Sequence, residues 1–431
     1  MGAIYFVGAG PLGLPALRAA RECGLAVVAT DRNPDAPGFA LADRGCVLDG
    51  TDVEGHLAFA RTVREPIAGV VCGAEFGART VQRLQAAFGL ETNDAAAIER
   101  VLDKRAMKRA FLAASVPTPP AHAVRDAGEL ALLLAREGGD WVLKPAGGSG
   151  SRGVRLVGEG DDLAAAVAAS RTAVGGALAL VAEPYLAGRS IDANGLFLGG
   201  AFHPAGVLEK VAGPAPDFLP VGGWDPPDLP PAERETVYAL LERACRAVGI
   251  AAGPVKGDFL RTDEGYVALE VAPRFHGDVT TCHTLPYGSR IDPLRFWFRF
   301  LATGEADPSL LAPREVAFAT WRVLGLPPGR IESLADPRRA ALFPRLTLLW
   351  HNPRLAGCVP RYADTTQIPG YVAAWGEDRA AAEETIAAWF ASAGYRVTPD
   401  PVHAEWFARL REHLAAHGLA SACAPAAGKA A

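Results

Sequence analysis

Short apolar runs alternate with stretches of helical period over the first hundred residues. Residues 4–7, 26–30 and 69–72 are apolar and of strand length, while residues 14–22 repeat their apolar positions on one helix face. Strands that alternate with helices predict a parallel sheet covered by helices. A helical pattern over 95–114 then ends at Val116-Pro-Thr-Pro-Pro120, whose prolines stop a helix and begin an extended connector. Residues 120–183 predict a small α/β unit: a strand, helix 128–136, a hairpin around Lys144, a helix near 161–170 capped by Asp161, and strand 179–182. Residues 184–305 predict a second α/β unit. Residues 312–400 predict short strands that close with a strand over 370–376 and a helix over 378–393. The tail after about 419, rich in Ala, Pro and Gly, is expected to be disordered. The fold class is therefore α/β with α+β parts.

Two glycine-rich turns interrupt this pattern. Gly8, Gly10 and Gly13 form G-x-G-x-x-G between the first strand and the first helix, and Asp31 ends the next strand. That arrangement is the dinucleotide fingerprint and keeps an NAD- or FAD-dependent oxidoreductase open as an alternative. The second turn is Trp141-Val-Leu-Lys-Pro-Ala-Gly-Gly-Ser-Gly-Ser-Arg-Gly-Val154. Glycines 147, 148, 150 and 153 let successive N–H groups point to one place, a concavity that suits phosphate, and Lys144 adds a positive charge beside it. The lysine precedes the glycines, so the segment is not a P-loop. It predicts a hairpin flap over a nucleotide or, as the alternative, a plain glycine-rich surface hairpin.

An acidic hairpin is predicted over 253–274, because Thr262-Asp-Glu-Gly265 is a turn signal between two apolar runs. With 263–265 as the loop, Asp258 faces Glu270, Phe259 faces Leu269, and Leu260 faces Ala268. Phe259, Leu269 and Val271 then share the buried face. Like charges directly opposed in a sheet repel, and a cation between them removes the conflict. Magnesium suits two carboxylates with room for phosphate oxygens or water. A one-residue bulge would break the register and leave the two acids as solvated surface groups. Arg274, four residues past Glu270, is placed to meet an anionic substrate or to pair with a nearby acid. His276 and Lys256 flank the same site.

Composition narrows the partners. The 431 residues suggest about three domains. The net charge of −5, without a long basic run, argues against nucleic acid. Seven scattered cysteines, none in C-x-x-C spacing, predict reduced thiols and no structural zinc. Cys282 and His283, read as neighbours in an extended chain, point to opposite faces and make a poor catalytic pair. No apolar run reaches the length that spans a bilayer, and the opening residues do not read as a signal segment. The expectation is a cytoplasmic protein.

With these parts in order the chain resembles the ATP-grasp superfamily, whose members include biotin carboxylase, D-alanine–D-alanine ligase and the L-amino-acid ligases. The segment 69–120 resembles their lead-in to the ATP site. The resemblance implies a Rossmann-like domain over 1–95 and an ATP-grasp domain over 96–305. It further implies a glycine-rich lid subdomain at about 118–183, a metal-binding half at about 184–305, and a small C-terminal α+β domain over 306–400. A helix and tail would fill 401–431. Lys104 and Lys144 would contact ATP phosphates, with Gly148, Ser149, Gly150 and Ser151 in the lid. Glu183, Tyr185 and Leu186 would belong to the hinge that reads adenine. Asp258 and Glu270 would hold magnesium, or manganese in its place, and Arg274, with Lys144, would act on the reacting groups. Two positions depart from the family: Ala272 replaces the asparagine of E-x-N-x-R, and Ser190 replaces a ribose-binding glutamate, with Asp192 as its stand-in. The implied reaction is ATP-dependent, ADP-forming ligation of a small-molecule carboxylate to an amine, with no nucleic-acid or membrane partner and with room for a homodimer. A non-catalytic ATP-binding protein is the further alternative.

Overall fold

A computed structural model describes residues 2–176, 179–314 and 317–420. They divide into two compact units. One comprises the chain up to 119 with 191–207 and 228–314; the other comprises 120–190, 208–227 and the chain beyond 314.

The first unit opens with a four-stranded parallel sheet in the order Arg44–Val47, Ala26–Asp31, Ala3–Val7, Ile67–Val71. Every residue of the inner strand Ala3–Val7 is buried, which is why it reads as an unbroken apolar run. The helix Leu14–Glu22 lies where its period predicts. The strand Arg44–Val47 was not legible, because none of its residues is fully buried and its exposure alternates. The helical stretch 95–114 proves to be two helices, Ala95–Leu102 and Lys104–Ala113. The break falls at Asp103, whose carboxylate accepts from the N–H groups of Arg105 and Ala106 and so caps the second helix. That cap makes Lys104 the first residue of a helix.

The acidic hairpin consists of Gly253–Thr262 and Gly265–Ala272, with Thr262 opposite Gly265 and Asp258 opposite Glu270. The loop is thus two residues long, not three. A bulge between Asp258 and Phe259 then sets Phe259 opposite Ala268 and Leu260 opposite Val267. Leu269 is the extra residue, and Ala268 takes the place expected for it on the buried face. Phe259, Ala268 and Val271 join Met107, Phe111 and Leu241 in one core. Residues 117–118 and a buried lysine hold the bulge. Ala268 N–H donates to Pro117 O at 2.8 Å. Ala268 O accepts from Thr118 Oγ1 at 2.7 Å and from Lys108 Nζ at 3.2 Å. Lys108 also donates to Thr118 Oγ1 at 2.8 Å.

The second unit contains an antiparallel sheet ordered His122–Val124, Leu180–Pro184, Trp141–Pro145, Arg155–Val157. Leu130, Leu134, Leu143 and Leu180 are in the core between it and its helices Ala127–Glu137 and Leu163–Thr172. Asp162, not Asp161, caps the latter helix by accepting from Ala165 N–H, while Asp161 accepts from Gly158 N–H. A second sheet includes Pro220–Asp225, Phe318–Val323, Gly370–Gly376 and Leu346–His351, with the helix Arg379–Ala393 against it. The chain closes with the helix Ala404–Ala416. The expected disordered tail falls almost wholly outside the described residues. Cys282 and His283 lie in a short helix, Asp278–His283, and not in an extended segment. No helix among the described residues is long and apolar enough to cross a membrane.

Replacing Thr118 by valine keeps the shape and removes the hydroxyl that Lys108 and Ala268 share. A buried polar group short of one partner costs about 1–3 kcal/mol. Chemical denaturation should show Thr118→Val destabilised by that amount, and an unchanged midpoint would deny the bulge its anchor.

Candidate active site

In the second unit Lys144 sits on the strand Trp141–Pro145, in the hairpin that carries the glycine loop. Its Nζ lies 2.8 Å from Glu183 Oε2, and both side chains are buried. The loop has positive φ at Gly148 (96°), Gly150 (71°), Ser151 (58°) and Gly153 (72°). At Gly153 a Cβ would meet Ser170 O at 2.6 Å, so glycine is required by space as well as by backbone. Ser151 Oγ donates to Phe218 O at 2.9 Å, and Gly150 O accepts from the N–H and hydroxyl of Thr365. Arg152 folds back so that its Nε donates to Ser149 O. Tyr185 N–H donates to Asp140 O at 2.9 Å, and the Tyr185 ring, 41% exposed, leans on Phe218. Leu186 lies two residues past the end of the strand Leu180–Pro184. The lysine, the glutamate, the tyrosine and the loop therefore belong to one unit.

The first unit gathers the remaining candidates around the acidic hairpin. Asp258 and Glu270 face each other as expected, and the group between them is Lys256. Its Nζ is 2.7 Å from Asp258 Oδ2 and 2.6 Å from Glu270 Oε1, and 3.9 Å from Glu75 Oε1. Lys104 Nζ stands 3.5 Å from the other oxygen of Glu270. His276 Nε2 lies 2.9 Å from Asp258 Oδ1 and 3.3 Å from Asp192 Oδ2. Its Nδ1 and its own N–H both meet Asn194 Oδ1. Burial works against the Lys256 ammonium, but Asp258 and then Glu270 outweigh it and raise its pKa above the ordinary lysine value. Asp192, expected as a ribose contact, thus stands beside Asp258 and His276. One ligand atom from each of these three lies within 4.8 Å of the others.

Arg274 pairs with Glu75, the role held open for it as an alternative, and Nη1 also donates to Phe275 O. Among the described residues its buried Nε has no hydrogen-bond partner. Glu75, Arg274 and His276 line a cavity of about 300 Å³, along with Gly8, Gly10 and Asp31 from the first glycine turn. Asp31 also holds its own turn. Its two carboxylate oxygens accept from Ala9 N–H at 2.9 Å and Asn33 N–H at 2.8 Å. Gly38 also closes over the turn, donating its N–H to Ala9 O. The turn stabilises its own loop in the manner of a structural glycine turn.

Glu75, Asn194 and the central place of Lys256 were missed by the sequence reading. Glu75 follows the carboxyl end of the parallel strand Ile67–Val71, where ligands of such sheets gather, and that position was its available signal. Asn194 carried no signal, because its contact with His276 joins residues 82 apart.

Burial pushes the Glu75 carboxyl up, but Arg274 and then Lys256 outweigh it and hold its pKa at about 2, below the ordinary 4.5. A depressed carboxylate stabilises the fold above its unfolded pKa and loses that contribution as pH falls toward its folded pKa. The shift corresponds to on the order of 3 kcal/mol. The stability gap between wild type and Glu75→Gln should hold constant above pH 5 and shrink between about pH 4.5 and 2. A gap independent of pH would contradict the pairing.

The chain is similar to several known proteins. Residues 101–278 match the family model for the ATP-grasp domain. An uncharacterized protein of Sinorhizobium fredii, y4rH, is 28% identical over 340 residues, which cover 77% of this chain and 69% of that protein. A formate-dependent phosphoribosylglycinamide formyltransferase of Burkholderia pseudomallei is 29% identical over 289 residues, 63% of this chain and 69% of its own. The fold is similar to that of an L-amino acid ligase from Bacillus licheniformis, with a TM-score of 0.74, 16% identity, and 93% and 99% of the two chains covered. It is also similar to the biotin carboxylase domain of 2-oxoglutarate carboxylase from Hydrogenobacter thermophilus, solved with MgADP and bicarbonate. There the TM-score is 0.71 at 17% identity, with 97% of this chain and 98% of that one covered. At such identities the structural likeness is one of fold. Residues 101–278 thus match an ATP-grasp domain, and the fold around them is similar to that of these ligase and carboxylase structures.

Proposed function

We propose that the protein is an ATP-dependent, ADP-forming ligase that activates a carboxylate as an acyl-phosphate and joins it to an amine. The observation that carries this reading is the acidic hairpin inside the matched domain, where Asp258 and Glu270 face each other among Lys104, Lys256 and Arg274. Phosphoryl transfer asks a protein for positioning and charge neutralisation more than for covalent help.

In the first step a carboxylate oxygen of the substrate bonds to the γ-phosphorus while the bond to the β,γ-bridging oxygen breaks, releasing ADP. In the second the amine nitrogen bonds to the acyl carbon and loses a proton, and phosphate departs with the electrons of the C–O bond. Lys104, Lys144 and the N–H groups of the 147–153 loop are assigned to the phosphates. Glu183, Tyr185 and Leu186 are assigned to the adenine, which requires the Lys144–Glu183 pair to open or share its bonds when nucleotide binds. Arg274 is assigned to the oxyanion of the second step, for which its unpartnered Nε is a ready donor.

The donor set fits a hard cation. Asp258 and Asp192 offer carboxylate oxygens, which suit magnesium and equally manganese, and His276 adds an imidazole; Glu270, expected as a second ligand, pairs with Lys256 and Lys104. When bound, magnesium supplies charge neutralisation on the phosphate oxygens. The 300 Å³ cavity is assigned to a small carboxylate or amine substrate, with Glu75 and Arg274 as its charged contacts. ATP as substrate goes with a cytoplasmic site of action, as do the six described cysteines, all free thiols.

A panel of carboxylates and amines, read by ADP formation, should give turnover only when both partners are present. ATP binding without turnover for every pair would reduce the protein to a nucleotide-binding module. Lys144→Met should weaken ATP binding at least tenfold while its melting transition stays cooperative. Unchanged affinity would remove the lid from the ATP site.

A further inference from the structure

Lys256 is placed more tightly than its sequence position suggests. It lies opposite Ala272 in the hairpin register, one step along the same face from the opposed pair Asp258 and Glu270. Ala272 stands where the E-x-N-x-R pattern carries asparagine. Directly opposed β-carbons lie about 4.5–5.5 Å apart, so a larger side chain at 272 and the lysine stem at 256 compete for one volume. Alanine leaves that volume to the lysine. Lys256 is 4% exposed and Ala272 5%, and the ammonium bonds to one oxygen of each acid at 2.7 and 2.6 Å.

We propose that Lys256 is a built-in cation that replaces one divalent ion, so that this protein binds nucleotide with a single metal ion. The proposal rests on the ligase reading and deepens it. The bridging position between Asp258 and Glu270 already holds a fixed positive charge. A divalent ion placed there would have to expel a buried ammonium, or share its carboxylates at close range with a like charge. The second oxygen of Glu270 faces Lys104, and the second oxygen of Asp258 faces His276. Among the described residues one donor group then remains for a divalent ion, where Asp258 meets Asp192 and His276. Lysine at 256 and alanine at 272 thus act as one paired change: the alanine leaves the volume opposite it open and the lysine fills it with a fixed positive charge.

The test counts metal directly. Free Mn2+ is measured by electron paramagnetic resonance while wild type, Lys256→Met and Lys256→Met/Ala272→Asn are titrated, with saturating ADP and without nucleotide. Wild type should bind one Mn2+ per ADP and the double variant two; two in wild type, or one in a folded double variant, overturns the proposal. Without nucleotide, Lys256→Met should bind Mn2+ at least tenfold more tightly than wild type, and equal affinity overturns it. Failure of ADP to bind any form contradicts the ligase reading instead, and the titration without nucleotide still decides the role of the lysine. If either variant fails to fold, the wild-type stoichiometry decides alone.

Discussion

Two carboxylates held face to face on neighbouring strands repel each other unless a cation stands between them. In this protein that cation is the ammonium of Lys256, and the arrangement of the first unit follows from it. Asp258 and Glu270 are kept in register by a bulge, and the bulge is tied to residues 117–118 and to Lys108 through the backbone of Ala268. The apolar side of the same strands is sunk into the core with Met107 and Phe111. The charged face and the apolar face are thus two consequences of one register. Removing one member of such a network leaves an uncompensated buried charge, a far greater cost than an exposed ion pair represents.

The second unit solves a different problem. A loop that bends its backbone toward one point must adopt conformations that side chains resist, and its neighbours leave no space for them. Gly153 lies against the carbonyl of Ser170, and at Gly150 a side chain would collide with Thr365. The same loop is fastened through Ser151 to Phe218. Lys144 enters the loop from a strand, with its ammonium held by Glu183.

Much of this was legible in the chain because it depends on local period and turn chemistry. The helix Leu14–Glu22, the inner strand of the parallel sheet and both hairpins follow from apolar spacing and glycine placement. The pairing of Asp258 with Glu270 was read correctly although its two premises were off by one residue each. A loop one residue shorter than expected shifts the register, and the bulge at Phe259 shifts it back. Turn arithmetic cannot see a bulge, since the contacts that hold it come from residues about 150 positions away. The same limit hid the place of Lys256 among three acids, the bond from Arg274 to Glu75, and the company that Asp192 keeps with His276. Each joins segments that only the finished fold brings together. Helix caps failed more narrowly: of two adjacent aspartates, Asp162 takes the cap and Asp161 takes the turn before it.

That the acidic hairpin receives the metal of a nucleotide is the central claim, and calorimetry of ADP binding with and without magnesium tests it most directly. In wild type, magnesium should strengthen ADP binding at least tenfold. In Asp258→Asn that gain should vanish, while binding of ADP alone stays within about twofold of wild type. A magnesium-dependent gain of the same size in folded Asp258→Asn would contradict the account.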